Sequence, residues 1–184
     1  RSRAGWPGGR YRGRVTEQAT RALPSRARVV VIGGGVGGTS VAYHLALSGE
    51  RDVVLVDRSE LTSGSTFHSA GLVGQLRSDP TLTAMNRYSV ELYSSLQQGD
   101  TPPGWVQCGS IRLASTQERW EEIQRQAGWA ASSGLEMSLI SADEAQELFP
   151  LMSTDGVVGA CFLPTDGQVD PSSLTYSLAA GARA

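Results

Sequence analysis

Six residues constrain this chain most: Gly33-Gly-Gly-Val-Gly-Gly38, set directly after an apolar run and at the mouth of a helical pattern. The run, Arg28-Val-Val-Val-Ile32, is short and β-branched. It suits a strand buried on both faces, as in a parallel sheet. From Thr39 to Ser48 the apolar residues Val41, Ala42, Leu45 and Ala46 recur at helical spacing, and Gly49 fits the C-terminal cap. Val53-Val-Leu-Val56 reads as a second buried strand and ends at Asp57. This is a β–α–β unit of about 30 residues.

Gly33-x-Gly35-x-x-Gly38 therefore lies where a strand turns into a helix, and an acid, Asp57, follows Gly38 by 19 residues at the end of the next strand. Each part has a mechanical role in binding a dinucleotide. Gly33 permits the tight turn, Gly35 lets backbone approach a pyrophosphate, and Gly38 lets the helix pack closely on the strand. The helix N-terminus, including Val36 and Gly37, offers unpaired N–H groups and a positive dipole end to phosphates. Asp57 can accept hydrogen bonds from the adenosine ribose hydroxyls and would repel the 2′-phosphate of NADP. Arg58, which follows it, weakens that exclusion. The glycine pattern by itself does not separate FAD from NAD.

Composition removes several other classes. With 40% hydrophobic residues and a net charge of −2, most of the chain can bury a core. No run of 18 apolar residues suggests a membrane span. Cys108 and Cys161 have no metal-ligand spacing and read as ordinary buried thiols, so neither a metal nor a disulfide framework is expected. Charge is uneven: residues 1–28 hold eight Arg and one acid, whereas residues 29–184 hold eight Arg against seventeen acids. Residues 1–27 have no apolar period and read as a disordered Arg-rich extension. A linker, an organelle transit peptide and a nucleic-acid arm compete for that segment. The acidic remainder argues against the last, so no nucleic-acid partner is expected. The chain starts without Met and stops at Ala184 inside a helical run, which reads as an N-terminal fragment.

Downstream, helices are expected over Thr81–Gln97 and Thr116–Ser133. A third, opened by the capping box Ser141-Ala-Asp-Glu144, should end before Pro150, and a fourth should begin at Pro171. Strands are expected over Ile111–Ala114, Glu136–Ile140 and Val157–Leu163. His44, mid-helix, reads as a helix-surface or packing residue, and Trp105, Trp120 and Trp129 read as packing residues. Asp166 and Asp170 read as turn residues.

The segment Leu61-Thr-Ser-Gly-Ser-Thr-Phe-His-Ser-Ala-Gly-Leu72 decides the cofactor. Its small and hydroxyl residues suit an extended FAD, whereas NAD alone would leave it without a role. Here the chain resembles the FAD-dependent amine oxidoreductases of the D-amino-acid-oxidase-like superfamily, and more closely the dimethylglycine and sarcosine dehydrogenase/oxidase family. That family's pattern, Leu-Thr-x-Gly-[Ser/Thr]-Thr-x-His-x-x-Gly-Leu, is present at every position. Further matches are Gly104-Trp-Val-Gln-x-Gly109-Ser-Ile-Arg-Leu-Ala114, Leu148-Phe-Pro-Leu151, Val158-Gly159, Pro164-x-Asp166-Gly167 and Asp170-Pro171. The resemblance covers residues 28–184. It implies an α/β fold: a Rossmann-like FAD-binding domain of the D-amino-acid-oxidase-like type, with the beginning of an α+β substrate domain.

The resemblance also implies that His68 is joined to the 8α-methyl of FAD, and neutral imidazole, with a pKa of about 6.5, is a competent nucleophile. Gly64, Ser65, Thr66, Ala70, Gly71 and Leu72 complete the implied cofactor site. The implied reaction oxidises an N-methylated glycine, sarcosine or dimethylglycine, by hydride transfer to flavin. The amine must be neutral for that step. The resemblance further implies capture of the product by tetrahydrofolate in a missing C-terminal domain. Electrons would pass to an electron-transfer flavoprotein or oxygen, in the mitochondrial matrix or the bacterial cytoplasm. The family's acid–base and substrate residues lie beyond Ala184, so no catalytic residue is assigned. Two alternatives remain. One is a non-catalytic homologue resembling the pyruvate dehydrogenase phosphatase regulatory subunit, which lacks the attachment histidine. The other is an amino-acid oxidase with non-covalent FAD. Residues 1–184 alone are expected to show no sarcosine turnover; detectable formaldehyde from that polypeptide and sarcosine would contradict the reading.

Overall fold

The computed structural model describes residues 24–184; the expected disorder of residues 1–23 lies outside them. The elements begin with β1 (Val29–Ile32), α1 (Val36–Leu47) and β2 (Val53–Val56). A short 3-10 turn (Ser65–His68), β3 (Leu72–Val73) and α2 (Pro80–Leu96) follow. Next come β4 (Ser110–Ala114), α3 (Gln117–Ser132), β5 (Ser138–Ile140) and α4 (Ala142–Leu148). The chain finishes with β6 (Gly159–Leu163), β7 (Gly167–Gln168) and α5 (Pro171–Gly181).

β1 and β2 pair in parallel, Val29 opposite Val53 through Ile32 opposite Val56, as the β–α–β pattern requires. Tertiary contacts pack α1 on both strands and on α5. The α1–α5 contact is close because Gly181 has no side chain. A Cβ there would stand 2.6 Å from the Tyr43 ring. α1 starts at Val36, one turn earlier than the apolar period suggests, because Gly37 and Gly38 have no side chain to register in that period. β1 is not buried on both faces: Val30 is 54% exposed and Ile32 85% exposed. The helices cover one side of a two-stranded sheet, and no described residue covers the other.

The second half is built on an antiparallel sheet of order β4-β6-β5, with Ser110 opposite Leu163 and Ile140 opposite Ala160. Leu76, Ala114, Ile123, Ala130, Leu135, Cys161 and Leu163 form its buried core, with Trp120 and Met137 packed against it. Truncating the fully buried Ile123 to Ala would cost roughly 2–5 kcal/mol. A second cluster, Val90, Trp105, Val169, Leu174 and Leu178, joins α2 and α5, and Val36 and Tyr43 of α1 pack on it.

Helix starts follow their caps. Asp79 accepts from Leu82 N ahead of Pro80, Thr116 from Arg119 N, and Asp170 from Ser173 N ahead of Pro171. The Ser141–Glu144 capping box forms with both its bonds. The strands at β5 and β6 are shorter than the apolar pattern suggests, starting at Ser138 and Gly159.

Three single-residue readings are corrected. Cys108 is exposed, although Cys161 is buried. Trp129 is 47% exposed, because it falls on the outer face of α3. Asp166 is more than a turn residue. It is fully buried and accepts from Gln75 N at 2.9 Å, Gln75 Nε2 at 3.2 Å and Ser110 Oγ at 2.6 Å. The carboxylate thereby ties the segment after β3 to β4 and β7. Asp170, by contrast, serves locally as the α5 cap, and its carboxyl is held below the usual carboxylate range by the Ser173 N–H.

Removing the Asp166 carboxylate would leave Gln75 N and Ser110 Oγ without their acceptor, whereas Gln75 Nε2 keeps Thr165 Oγ1 at 2.8 Å. Asp166→Ala is expected to destabilise the protein by on the order of 3 kcal/mol. Asp166→Asn, which keeps an acceptor, should cost less. Urea unfolding midpoints check the order.

Candidate functional site

The turn from β1 into α1 is held by backbone and carboxylate bonds from β2. Gly33 N donates to Val56 O at 2.8 Å, and Gly33 adopts φ +112°, a conformation that requires glycine. Gly34 N donates to Asp57 Oδ2 at 2.6 Å, and Ser59 N donates to Asp57 Oδ1 at 2.8 Å. These two N–H groups, Gly34 first, hold the Asp57 carboxyl below its ordinary range. Asp57 remains exposed, and each oxygen keeps a lone pair for a further donor. Arg58 beside it is exposed as well.

Gly38 must be glycine because a Cβ there would run into the Gly33 carbonyl, which is the close packing its spacing implies. Gly35 is required for a reason the spacing does not show. A Cβ on it would stand 2.9 Å from the Thr66 hydroxyl. That hydroxyl accepts from Val36 N at 3.0 Å, so a residue of the downstream loop caps α1 in place of the side chain that its N-cap, Gly35, lacks. Thr62 N reaches back to Gly34 O at 3.3 Å, with Thr62 at φ +72°. Sequence reasoning missed Thr62: a β-branched residue carries no signal for left-handed backbone. Leu61, the nearest side chain to Gly34, completes the contact.

The 3-10 turn carries Ser65, Thr66 and His68. Thr66 is buried, while Gly64, Ser65 and His68 are exposed. The His68 ring makes no hydrogen bond among the described residues and has Phe67 edge-on at 5.6 Å. Beyond it, Gly71 leaves the glycine turn and joins β7. At φ +72° a Cβ would strike Val169 O, and Val169 N donates to Gly71 O at 2.9 Å. Ala70 is exposed and Leu72 is 81% exposed. The structure thus brings together Gly33, Gly35, Val36, Gly38, Asp57 and Thr66. His68, Ala70, Gly71 and Leu72 extend along an open strip towards β3.

The cradle has room for an extended ligand. A Cβ built on Gly33, Gly37 or Gly64 meets no atom within 4 Å. Open backbone beside a helix N-terminus, an exposed acid at the end of β2 and a hydroxyl-rich loop match the donor and acceptor needs of FAD. Among the described residues no group of His, Cys, Asp and Glu could hold a metal, and no helix is long and apolar enough to cross a membrane.

His44 does more than pack. Its Nδ1 donates to Ser40 O at 2.7 Å, and its Nε2 pairs with the Tyr88 hydroxyl at 2.8 Å, joining α1 to α2.

The chain is 45% identical over 162 residues to mitochondrial dimethylglycine dehydrogenase of Homo sapiens, covering 86% of this chain and 18% of that protein. It is 37% identical to mitochondrial sarcosine dehydrogenase of Homo sapiens, covering 92% of this chain and 19% of that protein. It is 36% identical to the mitochondrial pyruvate dehydrogenase phosphatase regulatory subunit of Mus musculus, covering 96% and 20%. Among solved structures, L-proline dehydrogenase from P. horikoshii superposes with a TM-score of 0.82 at 31% identity, over 88% of this chain and 42% of that one. The chain therefore spans about a fifth of the length of the curated relatives it matches. A family model described as FAD dependent oxidoreductase, DAO, matches residues 28–184. With its glycine turn, Asp57 and the folded-back loop in the arrangement such a cofactor needs, this chain belongs to the DAO family of FAD-dependent oxidoreductases.

Proposed function

We propose that this chain is the cofactor-binding part of an enzyme that oxidatively demethylates an N-methylated glycine, sarcosine or dimethylglycine, with FAD attached through His68. The observation that carries the reading is the loop Leu61–Leu72 folded onto the glycine turn, with the His68 ring exposed and unbonded beside an open cradle. Similarity to dimethylglycine and sarcosine dehydrogenases supports the substrate class.

Bound FAD supplies a two-electron oxidant that accepts hydride from the carbon next to the substrate nitrogen. The chain's own residues bind and orient it. The N–H groups of Gly35, Gly37 and Gly38, with the helix dipole, would hold the pyrophosphate; Gly33 and Val36 shape the turn instead, because Gly33 N is given to Val56 O and Val36 N, expected to be unpaired, is given to Thr66 Oγ1. Asp57, with Arg58 beside it, accepts from the ribose hydroxyls through its remaining lone pairs. Gly64, Ser65 and Thr66 line the cofactor's path, His68 tethers the ring, and Ala70, Gly71 and Leu72 continue along it. A tether prevents cofactor loss and, by withdrawing electrons, favours flavin reduction. Residues 28–184 form the N-terminal part of the oxidoreductase domain, preceded by the extension at 1–27. Tetrahydrofolate as acceptor of the one-carbon product, and an electron-transfer flavoprotein or oxygen as electron acceptor, complete the scheme. The mitochondrial relatives favour the matrix as its compartment.

A regulatory role is the second reading, favoured by the match across 96% of the chain to the phosphatase regulatory subunit. Retention of His68 favours the enzyme.

The protein expressed from its complete reading frame should give a flavin-fluorescent band after denaturing electrophoresis and acid treatment, and His68→Ala should abolish that band. A dark band in both would sink the covalent reading and advance the alternatives. In the His68→Ala background, where no covalent bond can form, Asp57→Ala should weaken FAD binding roughly tenfold or more through lost ribose hydrogen bonds, read by equilibrium titration of apoprotein.

A further inference from the structure

α1 is an N-terminally uncapped helix by its own sequence, since Gly35 has no side chain to accept from the first turn. The missing acceptor comes from 30 residues away, where the buried Thr66 hydroxyl takes the Val36 N–H at 3.0 Å. Thr66 opens a tight turn. Ser69 N donates to Thr66 O at 3.1 Å, closing that turn around His68. Upstream, Phe67 N donates to Thr62 O, and Thr62 N to Gly34 O, both at 3.3 Å. Thr62 keeps its left-handed backbone between those two bonds. Among the described residues the His68 ring has no hydrogen-bonding partner of its own, so the position of its backbone is what these bonds fix.

We propose that the Thr66 hydroxyl is the positioning group that fixes His68 relative to the glycine turn and so sets the rate of covalent flavin attachment. This rests on the reading that His68 carries the flavin. In the attachment, a bond forms between an imidazole nitrogen and the 8α carbon. That carbon and the imidazole each give up one proton, and the electron pair of the broken C–H bond leaves the ring system reduced by two electrons. Dioxygen then reoxidises it, yielding hydrogen peroxide. The step would require the protein to hold a ring nitrogen of His68 within bonding reach of that methyl carbon. Rates of such steps fall steeply with small misplacements.

The test uses apoprotein from the complete reading frame, mixed with FAD in air and sampled over time for acid-stable in-gel flavin fluorescence. Thr66→Val removes the acceptor and keeps the shape. At saturating FAD its attachment rate is expected to fall on the order of tenfold or more, without recovery as FAD is raised further. Thr66→Ser, which restores the hydroxyl, should stay within about twofold of the parent. If Thr66→Val does not fold, as read by thermal melting, Thr66→Ala removes the same acceptor and is read in the same way. Attachment by the folded acceptor-less variant at the parental saturating rate would overturn the proposal. So would a defect that extra FAD repairs, or a Thr66→Ser variant as slow as Thr66→Val. A parent that never becomes fluorescent would overturn the His68 reading and this proposal together, whereas a fluorescent parent with an unaffected variant overturns the positioning role alone.

Discussion

The N–H groups where β1 turns into α1 have no partners within their own segment, and the way they are satisfied organises the first half of the molecule. Gly33 N goes to the end of β2, Gly34 N to Asp57, and Val36 N to Thr66. Two stretches, the end of β2 at Val56 and Asp57 and the loop at Thr66, are thereby drawn to the glycine turn. An unpaired donor in a buried turn costs as much as a lost hydrogen bond. Gly35 follows from this geometry, because a Cβ there would meet the Thr66 hydroxyl, and Gly38 follows from the turn itself, whose Gly33 carbonyl leaves no room for a side chain.

A comparable centre lies at Asp166, a buried carboxylate that no ion pair reaches among the described residues. Burying a charge is costly unless hydrogen bonds replace its water. Here Gln75 and Ser110 do so, and the arrangement gives the strip from His68 to Leu76 a fixed course. The segment from Thr66 to Gln75 is thus anchored at both ends, by Thr66 on α1 and by Asp166 ahead of β7.

The β–α–β unit was legible because its signals are local: a β-branched run, glycines at fixed offsets and an acid at the end of the next strand. The capping box at Ser141 was legible for the same reason, whereas Asp170, read as a turn residue, is the cap of α5. What escaped depends on partners far along the chain. Nothing near Thr66 indicates that it caps a helix 30 residues earlier. Nothing near Asp166 points to Gln75, 91 residues before it. The exposure of Val30 and Ile32 reflects which faces the helices cover, and an apolar run cannot encode that. Trp129 shows the same limit on a helix: the period placed Trp120 and Ile123 inward correctly, but one aromatic fell on the wet side.

The order β4-β6-β5 constrains how the chain reaches this state. β6 enters between two strands that precede it, and neither neighbour can be reached by a hairpin turn. Closing such loops costs entropy before any ladder bond repays it. Helices α3 and α4, with caps beside them, can form early. The sheet, and with it the burial of Asp166 against Gln75, must come late. During synthesis, the segment from Thr66 to Gln75 therefore stays unfixed at its Gln75 end until residue 166 has emerged, so its course is set only by the second half of this chain.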